Sequence, residues 1–176
     1  GGGGGRAPPA PGFPPAGGIG KMAPPVAAVS GGGCMRGLGA GWTRPELGAC
    51  GIPFDRRVDR FDEAWTIIPE LTSGGRSTLD GTHWRTGDAV LHPPRAAPGA
   101  MPLMVGSNGA RVLRITLPHA HAWNTWFTET GNSPDGVARL AADMSRIATE
   151  VGRDPSTAVR SACVLVRLGD GGERPP

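Results

Sequence analysis

The segment Gly106 to Gly109, Gly-Ser-Asn-Gly, stands between the apolar run Leu103 to Val105 and a segment that predicts a helix with Arg111 in its first turn. A strand end, a glycine-rich turn and a helix N-terminus together direct backbone N–H groups and a positive dipole toward one point, which suits a phosphate. Ser107 and Asn108 would add side-chain donors. From these residues alone, the segment is either a phosphate-binding loop or an ordinary strand-to-helix connection.

A second glycine-rich segment, Gly37 to Trp42, follows a short predicted strand. Its glycines suggest a dinucleotide-binding turn, in which the turn opens a helix that holds a pyrophosphate. Pro45 interferes with continuing such a helix directly from the turn. The sequence therefore favours a tight strand-to-loop turn and leaves a nicotinamide-binding Rossmann oxidoreductase as an alternative.

His119 and His121 form a His-x-His pair, which is a spacing found in metal sites. No cysteine or carboxylate clusters with them in the sequence, and His83 and His92 lie in a predicted hairpin and before two prolines. We expect satisfied or surface histidines and no metal. Hydrolase motifs such as Gly-x-Ser-x-Gly are absent from the sequence, and no residue is assigned as catalytic.

Apolar strands and helices alternate along the chain. Asp55 is the predicted N-cap of a helix that ends at Gly74-Gly75, with Pro69 expected to kink or shorten it. That helix presents Val58, Phe61, Trp65 and Ile68 on one face. Ser77 to Pro94 predicts a hairpin with turns at Asp80-Gly81 and Gly87-Asp88.

The second half of the chain continues the alternation. Ala120 to Phe127 is another short apolar run, and Ser133 and Pro134 open the clearest helix, which ends before Gly152. Its apolar stripe comprises Val137, Leu140, Ala141, Met144, Ile147, Ala148 and Val151. Arg160 to Val166 is a final predicted strand. This order predicts an α/β fold with a covered parallel sheet.

Composition sets the predicted domain limits. Residues 1–19 are nearly all Gly, Pro and Ala and are predicted to be disordered, as is the tail 169–176, which leaves 20–168 as the domain. The net charge is +3, but the arginines are scattered or lie beside acids, so we expect no nucleic acid partner. Three cysteines without Cys-x-x-Cys spacing, no membrane-length apolar run and no signal peptide predict a cytoplasmic protein.

Four segments carry a family resemblance in their order and spacing: Ser30–Trp65, Thr78–Pro94, Met101–Thr116 and Ala122–Trp126. Together they resemble the luciferase-like monooxygenases, which are flavin- or deazaflavin-dependent oxidoreductases built on a TIM (β/α)₈ barrel. The resemblance implies FMN or the deazaflavin coenzyme F420 at the carboxyl mouth of the strands. It places the phosphate loop at Gly106, Ser107, Asn108 and Gly109 with Arg111, the ring beside Gly39, Ala40, Gly41 and Trp42, and the lining of the mouth at Trp123 and Asn124.

The chain departs from the family in extent. A full barrel takes about 250 residues, whereas four strands are identifiable here, so the resemblance implies a partial TIM barrel. The family's first three strands and its last have no counterpart. We therefore expect self-association through open sheet edges and no cofactor-dependent turnover by the chain alone, with a small-molecule substrate left unassigned. The alternative of another class is a non-catalytic fragment that binds a phosphate-bearing ligand.

Overall fold

The computed structural model describes residues 35–91, 102–166 and 168, and the elements below lie in these ranges. The predictions for residues 1–19 and 169–176, together with Cys34 and His92, lie outside them. The strands are β1 (Arg36–Leu38), β2 (Ser77–Asp80), β3 (Arg85–Ala89), β4 (Leu103–Val105), β5 (Ala122–Thr125) and β6 (Val159–Ala162). The helices are α1 (Arg44–Ala49), α2 (Arg57–Thr72), α3 (Ala110–Thr116), α4 (Phe127–Thr130) and α5 (Pro134–Glu150), with a 3₁₀ turn at Pro155–Thr157. Among the described helices, none has the length and apolar character needed to span a membrane.

The main sheet has the strand order β1-β4-β5-β6, and all of its pairs are parallel. Leu38 is the register partner of Val105, Val105 is the partner of Trp123, and Trp123 is the partner of Arg160. Parallel neighbours require crossover connections, which α2, α3 and α5 supply. The predicted α/β fold with a parallel sheet is confirmed.

One face of this sheet, here called the outer face, packs against α2, α3 and α5. The core combines sheet residues with one face of each helix: Leu103, Val105, Trp123, Phe61, Trp65, Ile68, Val112, Leu113, Met144, Ile147 and Ala148. Fully burying a side chain of this kind stabilises the fold by about 1.5–3 kcal/mol. The opposite face, here called the inner face, carries Gly37, Met104, Asn124 and Ser161, among which the pairs Gly37–Met104, Asn124–Ser161 and Ser161–Met104 are in contact.

Helix α5 begins and ends as the sequence predicts. The Ser133 Oγ accepts a 3.1 Å hydrogen bond from the N–H of Gly136, and Pro134 occupies the first turn. Gly152 follows the helix with a φ of 78°, a conformation that glycine adopts without steric cost. Both signals are local, which is why they could be recognised from the sequence.

Helix α2 ends just before Gly74-Gly75 as predicted, but it differs from the prediction at its N-cap and at Pro69. Its N-cap is Arg56, in the left-handed region with a φ of 58°, and not Asp55. Pro69 neither ends nor shortens the helix, which continues to Thr72. Proline removes one backbone donor, but Leu71 and Thr72 are buried beyond it and the Thr72 hydroxyl donates to the Ile68 carbonyl at 2.8 Å. Packing therefore outweighs the local penalty.

The predicted hairpin is present, as the antiparallel pair β2 and β3. The second predicted turn is wrong, since Gly87 and Asp88 lie inside β3. Asp88 has a φ of 50°, and the register shifts between Ser77 and Leu79, so this turn-like dipeptide forms an irregularity within the ladder. The hairpin packs on the outside of α2, against Ile67 and Leu71.

The final strand is shorter than predicted, because β6 ends at Ala162. Val164 and Val166, expected in a buried strand, are 65% and 69% exposed. The side chain of Asn132 exchanges two 2.9 Å hydrogen bonds with the backbone N–H and C=O of Leu165. That side chain supplies the partners that a neighbouring strand would otherwise provide.

Candidate functional site

The two glycine-rich segments meet at the carboxyl ends of β1 and β4. The N–H of Gly106 donates to the Leu38 carbonyl at 3.0 Å. A Cβ built on Gly39 would lie 3.4 Å from the Gly106 carbonyl oxygen, whereas one built on Gly106 would meet nothing within 4 Å. The structure therefore brings these predicted site segments together and leaves open space above Gly106.

Residues Gly106–Gly109 form a loop that side chains fix from two directions. The Nε1 of Trp123 donates to the Ser107 carbonyl at 3.0 Å, and the Asn108 Nδ2 donates to the Thr125 Oγ1 at 3.0 Å. Within the loop, the Ser107 Oγ accepts the N–H of Gly109 at 3.2 Å. These contacts attach the loop to β5 and give it a defined backbone shape.

Several polar groups of this loop remain available to a ligand. The backbone N–H groups of Ser107 and Asn108 make no hydrogen bond to the described residues. The Asn108 Oδ1 is also without a partner among them, but this atom is a buried acceptor and does not add to the donors. Successive unpaired backbone N–H groups in a tight turn form a concave anion site. The loop has the donor set that a phosphate requires, and the residues present fit a phosphorylated cofactor.

The Trp123 side chain lies beneath the loop and not at the surface of the mouth. It is 1% exposed and belongs to the core beneath the loop. Its indole N–H is bonded to the Ser107 carbonyl. The structure thus gives Trp123 a positioning role, and its direct contact with a cofactor stays a prediction.

Residues Gly39 to Trp42 are supported from α2. Gly41 has a φ of 79°, and its carbonyl accepts a 3.0 Å hydrogen bond from the Arg57 Nε. The Arg57 guanidinium also lies 4.1 Å from the centre of the Phe54 ring. Trp42 extends into solvent with 85% of its surface exposed. Arg57 and Phe54 are site-supporting residues that the sequence did not reveal, because both contacts form only after folding.

Arg111 is engaged with α2. Its guanidinium forms a 2.5 Å ion pair with Asp59, which also pairs with Arg56 at 3.1 Å. The hydrogen bonds from Arg111 and then Arg56 hold the pKa of the Asp59 carboxyl below its usual range. The predicted contact between Arg111 and a phosphate stays a prediction, and the guanidinium is placed to hold α3 against α2.

The inner face carries a small polar cluster at the same mouth. The Asn124 Nδ2 donates to the Ser161 Oγ at 2.8 Å, and the Cys163 Sγ lies 3.9 Å from the amide of Asn124. Met104 lies below, with its Cε 3.2 Å from the position of a Cβ on Gly37. Asn124 was a predicted site residue. Ser161 on β6 and Cys163, one residue beyond it, were missed, although the alternation of side chains places both beside Asn124.

The histidine pair lies at the other end of the sheet. His121 precedes β5, and its Nδ1 accepts the N–H of Leu103 at 3.2 Å. His119 and His121 line a shallow cleft of about 540 Å³ with Glu70 and Arg153. Within residues 35–91 and 102–166, no three histidine, cysteine or carboxylate side chains are grouped as a metal site would require.

The Rossmann alternative is not favoured by the backbone. Helix α1 begins at Arg44 with Pro45 in its first turn, two residues beyond Trp42. The glycines of the Gly37–Trp42 segment therefore end a strand and enter a loop without opening a helix.

A sequence profile of the luciferase-like monooxygenases matches residues 18–171, and the chain belongs to this family. Among curated relatives, the pyrimidine monooxygenase RutA of Enterobacter sp. strain 638 is 28% identical over 141 residues, which are 77% of this chain and 38% of that protein. The chain thus spans about two fifths of the length of such a relative.

Solved structures share the fold. The coenzyme F420-dependent tetrahydromethanopterin reductase of Methanopyrus kandleri matches with a TM-score of 0.67 and 18% identity, over 82% of this chain and 44% of that one. The oxygenating constituent of 3,6-diketocamphane monooxygenase from Pseudomonas putida, in complex with FMN, matches with a TM-score of 0.60 and 18% identity, over 82% of this chain and 43% of that one. The strands described here therefore correspond to part of a TIM barrel.

Proposed function

We propose that this chain forms the part of a flavin- or deazaflavin-dependent oxidoreductase that binds the cofactor phosphate, and that the phosphate lies on the loop Gly106–Gly109. The observation that carries this proposal is the close approach of Gly39 and Gly106 at the carboxyl ends of β1 and β4, beside unbonded backbone N–H groups. In parallel α/β folds, loops at the carboxyl ends of the strands bind ligands. FMN or F420 fits the site, since each carries a phosphate and a planar ring.

The bound cofactor would supply the redox chemistry, and the residues of this chain bind, orient and shield it. Ser107 and Asn108 hold the phosphate through their unbonded backbone N–H groups and the Ser107 hydroxyl, which also accepts the N–H of Gly109. Gly39 and Gly106 allow the ring to approach the backbone, with Trp42 at one side. The Asn124 amide offers a donor and an acceptor to the polar edge of a ring.

The name of the relative, a pyrimidine monooxygenase, supports oxygen-dependent oxidation of a small heterocycle as the activity of the complete barrel. The described sheet has four strands, so we expect the isolated chain to bind the cofactor without turnover above background. A non-catalytic protein that binds a phosphate-bearing ligand is the second candidate. It is favoured by the same loop, which is complete within this chain.

The experiment is a comparison of FMN with riboflavin, which has the same ring but no phosphate. Ser107→Asp retains an oxygen that can accept the N–H of Gly109 and adds a negative charge beside the phosphate. A charge-assisted contact contributes on the order of 1.5–3 kcal/mol, so the FMN affinity should fall by roughly ten- to a hundredfold. The riboflavin affinity should change little.

Equal losses for FMN and riboflavin would indicate general damage to the fold. An FMN affinity that is unchanged in Ser107→Asp would place the phosphate elsewhere and contradict the proposal. Turnover of a pyrimidine by the pure chain, free of host flavoenzymes, would overturn the expectation of background activity.

A further inference from the structure

Trp126, at the end of the family segment Ala122–Trp126, lies at the mouth and has no role in the proposed function. It follows β5 directly, and its side chain is 50% exposed. A half-exposed indole at the edge of a candidate ligand site offers a large aromatic surface, and aromatic side chains dominate the energetics of many interfaces. Its direction and its neighbours indicate what it contacts.

The strand geometry places Trp126 on the inner face. Its backbone is extended, with φ −118° and ψ 146°, so the alternation of β5 continues through it. Trp123 and Thr125 are buried on the outer face, at 1% and 2% exposure. Trp126 therefore shares the inner face with Asn124, one step closer to the mouth.

Trp126 is held firmly for a residue so exposed. Its ring centre lies 4.9 Å from that of Phe127, with a tilt of 38°. Its carbonyl accepts the N–H groups of Glu129 and Thr130 at 3.0 and 3.2 Å, which fixes the start of α4. On its other side, Thr125 is bonded to Asn108 of the loop. A preorganised aromatic surface loses little conformational entropy when a ligand binds.

The space beside this indole suits a flat ligand. Gly106 follows Val105, the register partner of Trp123, and so lies alongside Asn124; it has no side chain, and a Cβ there would meet nothing within 4 Å. Below, the Asn124 amide and the Ser161 hydroxyl form a hydrogen-bonded pair that can meet polar ring atoms. An aromatic face above a donor–acceptor pair is the chemistry that recognises a heteroaromatic ring with carbonyl and N–H groups on its edge.

We propose that Trp126 stacks on a planar heteroaromatic ring bound at the mouth, with Asn124 hydrogen-bonded to the edge of that ring. This inference rests on the proposed function, because it places the ring beside the phosphate loop. The ring is either the flavin-type ring of the cofactor or a pyrimidine-sized substrate. The two sources share the same edge chemistry and differ in the experiment.

The test titrates the full chain and two variants with riboflavin, FMN and uracil. Trp126→Phe keeps an aromatic face but replaces the indole, which quenches flavin fluorescence on stacking. Trp126→Leu keeps apolar bulk and loses the aromatic face. Because Trp126→Leu removes the stacking of the ligand ring on an aromatic side chain, the affinity for that ligand should fall by about 5- to 100-fold. Trp126→Phe should stay within about threefold of the wild type, and the fluorescence of bound flavin should recover.

If the ring belongs to the substrate, calorimetry will show a loss of uracil affinity in Trp126→Leu, and the affinities for riboflavin and FMN will equal those of the wild type. Unchanged affinities for all three ligands in Trp126→Leu, or unquenched flavin on the wild type with no loss for uracil, would overturn the proposal. The Ser107→Asp comparison separates this outcome from failure of the proposed function, because it depends only on the phosphate. A wild type that binds none of the three ligands would overturn both. Trp126→Phe keeps the test decisive even if Trp126→Leu fails to fold.

Discussion

The indole N–H of Trp123 donates a 3.0 Å hydrogen bond to the carbonyl oxygen of Ser107, which joins the buried part of β5 to the loop after β4. The same indole is packed among core residues of α2, α3 and α5. The shape of the candidate phosphate loop is therefore set by the packing of the core.

Trp123→Phe should weaken both stability and phosphate binding. The change removes the donor to Ser107 and leaves a small cavity, which together cost about 1–3 kcal/mol. The free energy of unfolding in urea measures the first effect, and FMN titration measures the second. Trp42→Phe is the control for stability, because Trp42 is 85% exposed, and it should change the free energy by less than about 0.5 kcal/mol. Equal stability of the two variants would contradict the proposed role of Trp123.

Glu63→Gln should loosen the hairpin. The Glu63 carboxylate on α2 accepts the backbone N–H groups of Thr82, His83 and Trp84, at 2.9, 2.8 and 2.8 Å. A glutamine turns one acceptor into a donor that faces an N–H, and we expect a loss of about 1–2 kcal/mol for this partly exposed group. Glu70→Gln, on an exposed side chain of the same helix, is the control. Amide exchange of residues 79–89 should accelerate only in Glu63→Gln.

The hairpin should also respond to pH through Glu63. Burial raises the pKa of this carboxyl, but the N–H groups of Trp84, His83 and Thr82 outweigh burial and hold the pKa below its usual range. A lowered pKa in the folded state means that the stabilisation is complete above the ordinary glutamate pKa and is lost as the pH falls through the lowered value. Unfolding curves from neutral to acid pH should show a steeper loss for wild type than for Glu63→Gln. Parallel curves would argue against this role.

Gly136→Ala should be strongly destabilising. A Cβ at Gly136 would overlap the carbonyl oxygen of Thr130, so α4 and α5 would have to separate. Overpacking of this kind costs about 1–3 kcal/mol or more. Gly48→Ala is the matched control, since a Cβ there meets nothing within 4 Å, and alanine in a helix is favoured by roughly 0.5–1 kcal/mol. Thermal unfolding of both variants gives the comparison, and similar melting temperatures would refute it.

Self-association through sheet edges is expected as well. Within the described residues β1 and β6 each pair with one strand, and Val159 on β6 is 61% exposed. Open strand edges promote pairing with other chains, and lysine on an edge opposes it. Val159→Lys should lower the average mass in light scattering at high protein concentration, whereas Val90→Lys, beyond β3, should not. A wild-type mass that stays monomeric at all concentrations would exclude this association.

Features specified by neighbouring residues could be predicted from the sequence. Ser133 with Pro134, and Gly152, bounded α5 correctly because capping depends on a few adjacent residues. The strands at Leu103–Val105 and Ala122–Thr125 were recognised from apolar runs between turn residues. The family segments then identified the mouth at which these strands end.

Features that depend on distant contacts could not be predicted. The ion pair of Arg111 with Asp59 joins residues of different helices, and it occupies a guanidinium that the sequence analysis assigned to a phosphate. The family resemblance placed Trp123 and Asn124 together at the mouth, whereas adjacent strand residues point to opposite faces and the Trp123 side chain is buried in the core. Pro69 remains helical because tertiary packing overrides its local preference.

The separation of register partners along the chain has a consequence for folding. Arg36 pairs with Leu103, although α1, α2 and the β2–β3 hairpin all lie between them. Local contacts form before those that must close a long loop. Helix α2 and the hairpin, joined through Glu63, should therefore be ordered before β1 can meet β4. We therefore expect the juxtaposition of Gly39 and Gly106 to arise late in folding, so that the candidate ligand site is completed only after helix α2 and the hairpin have formed.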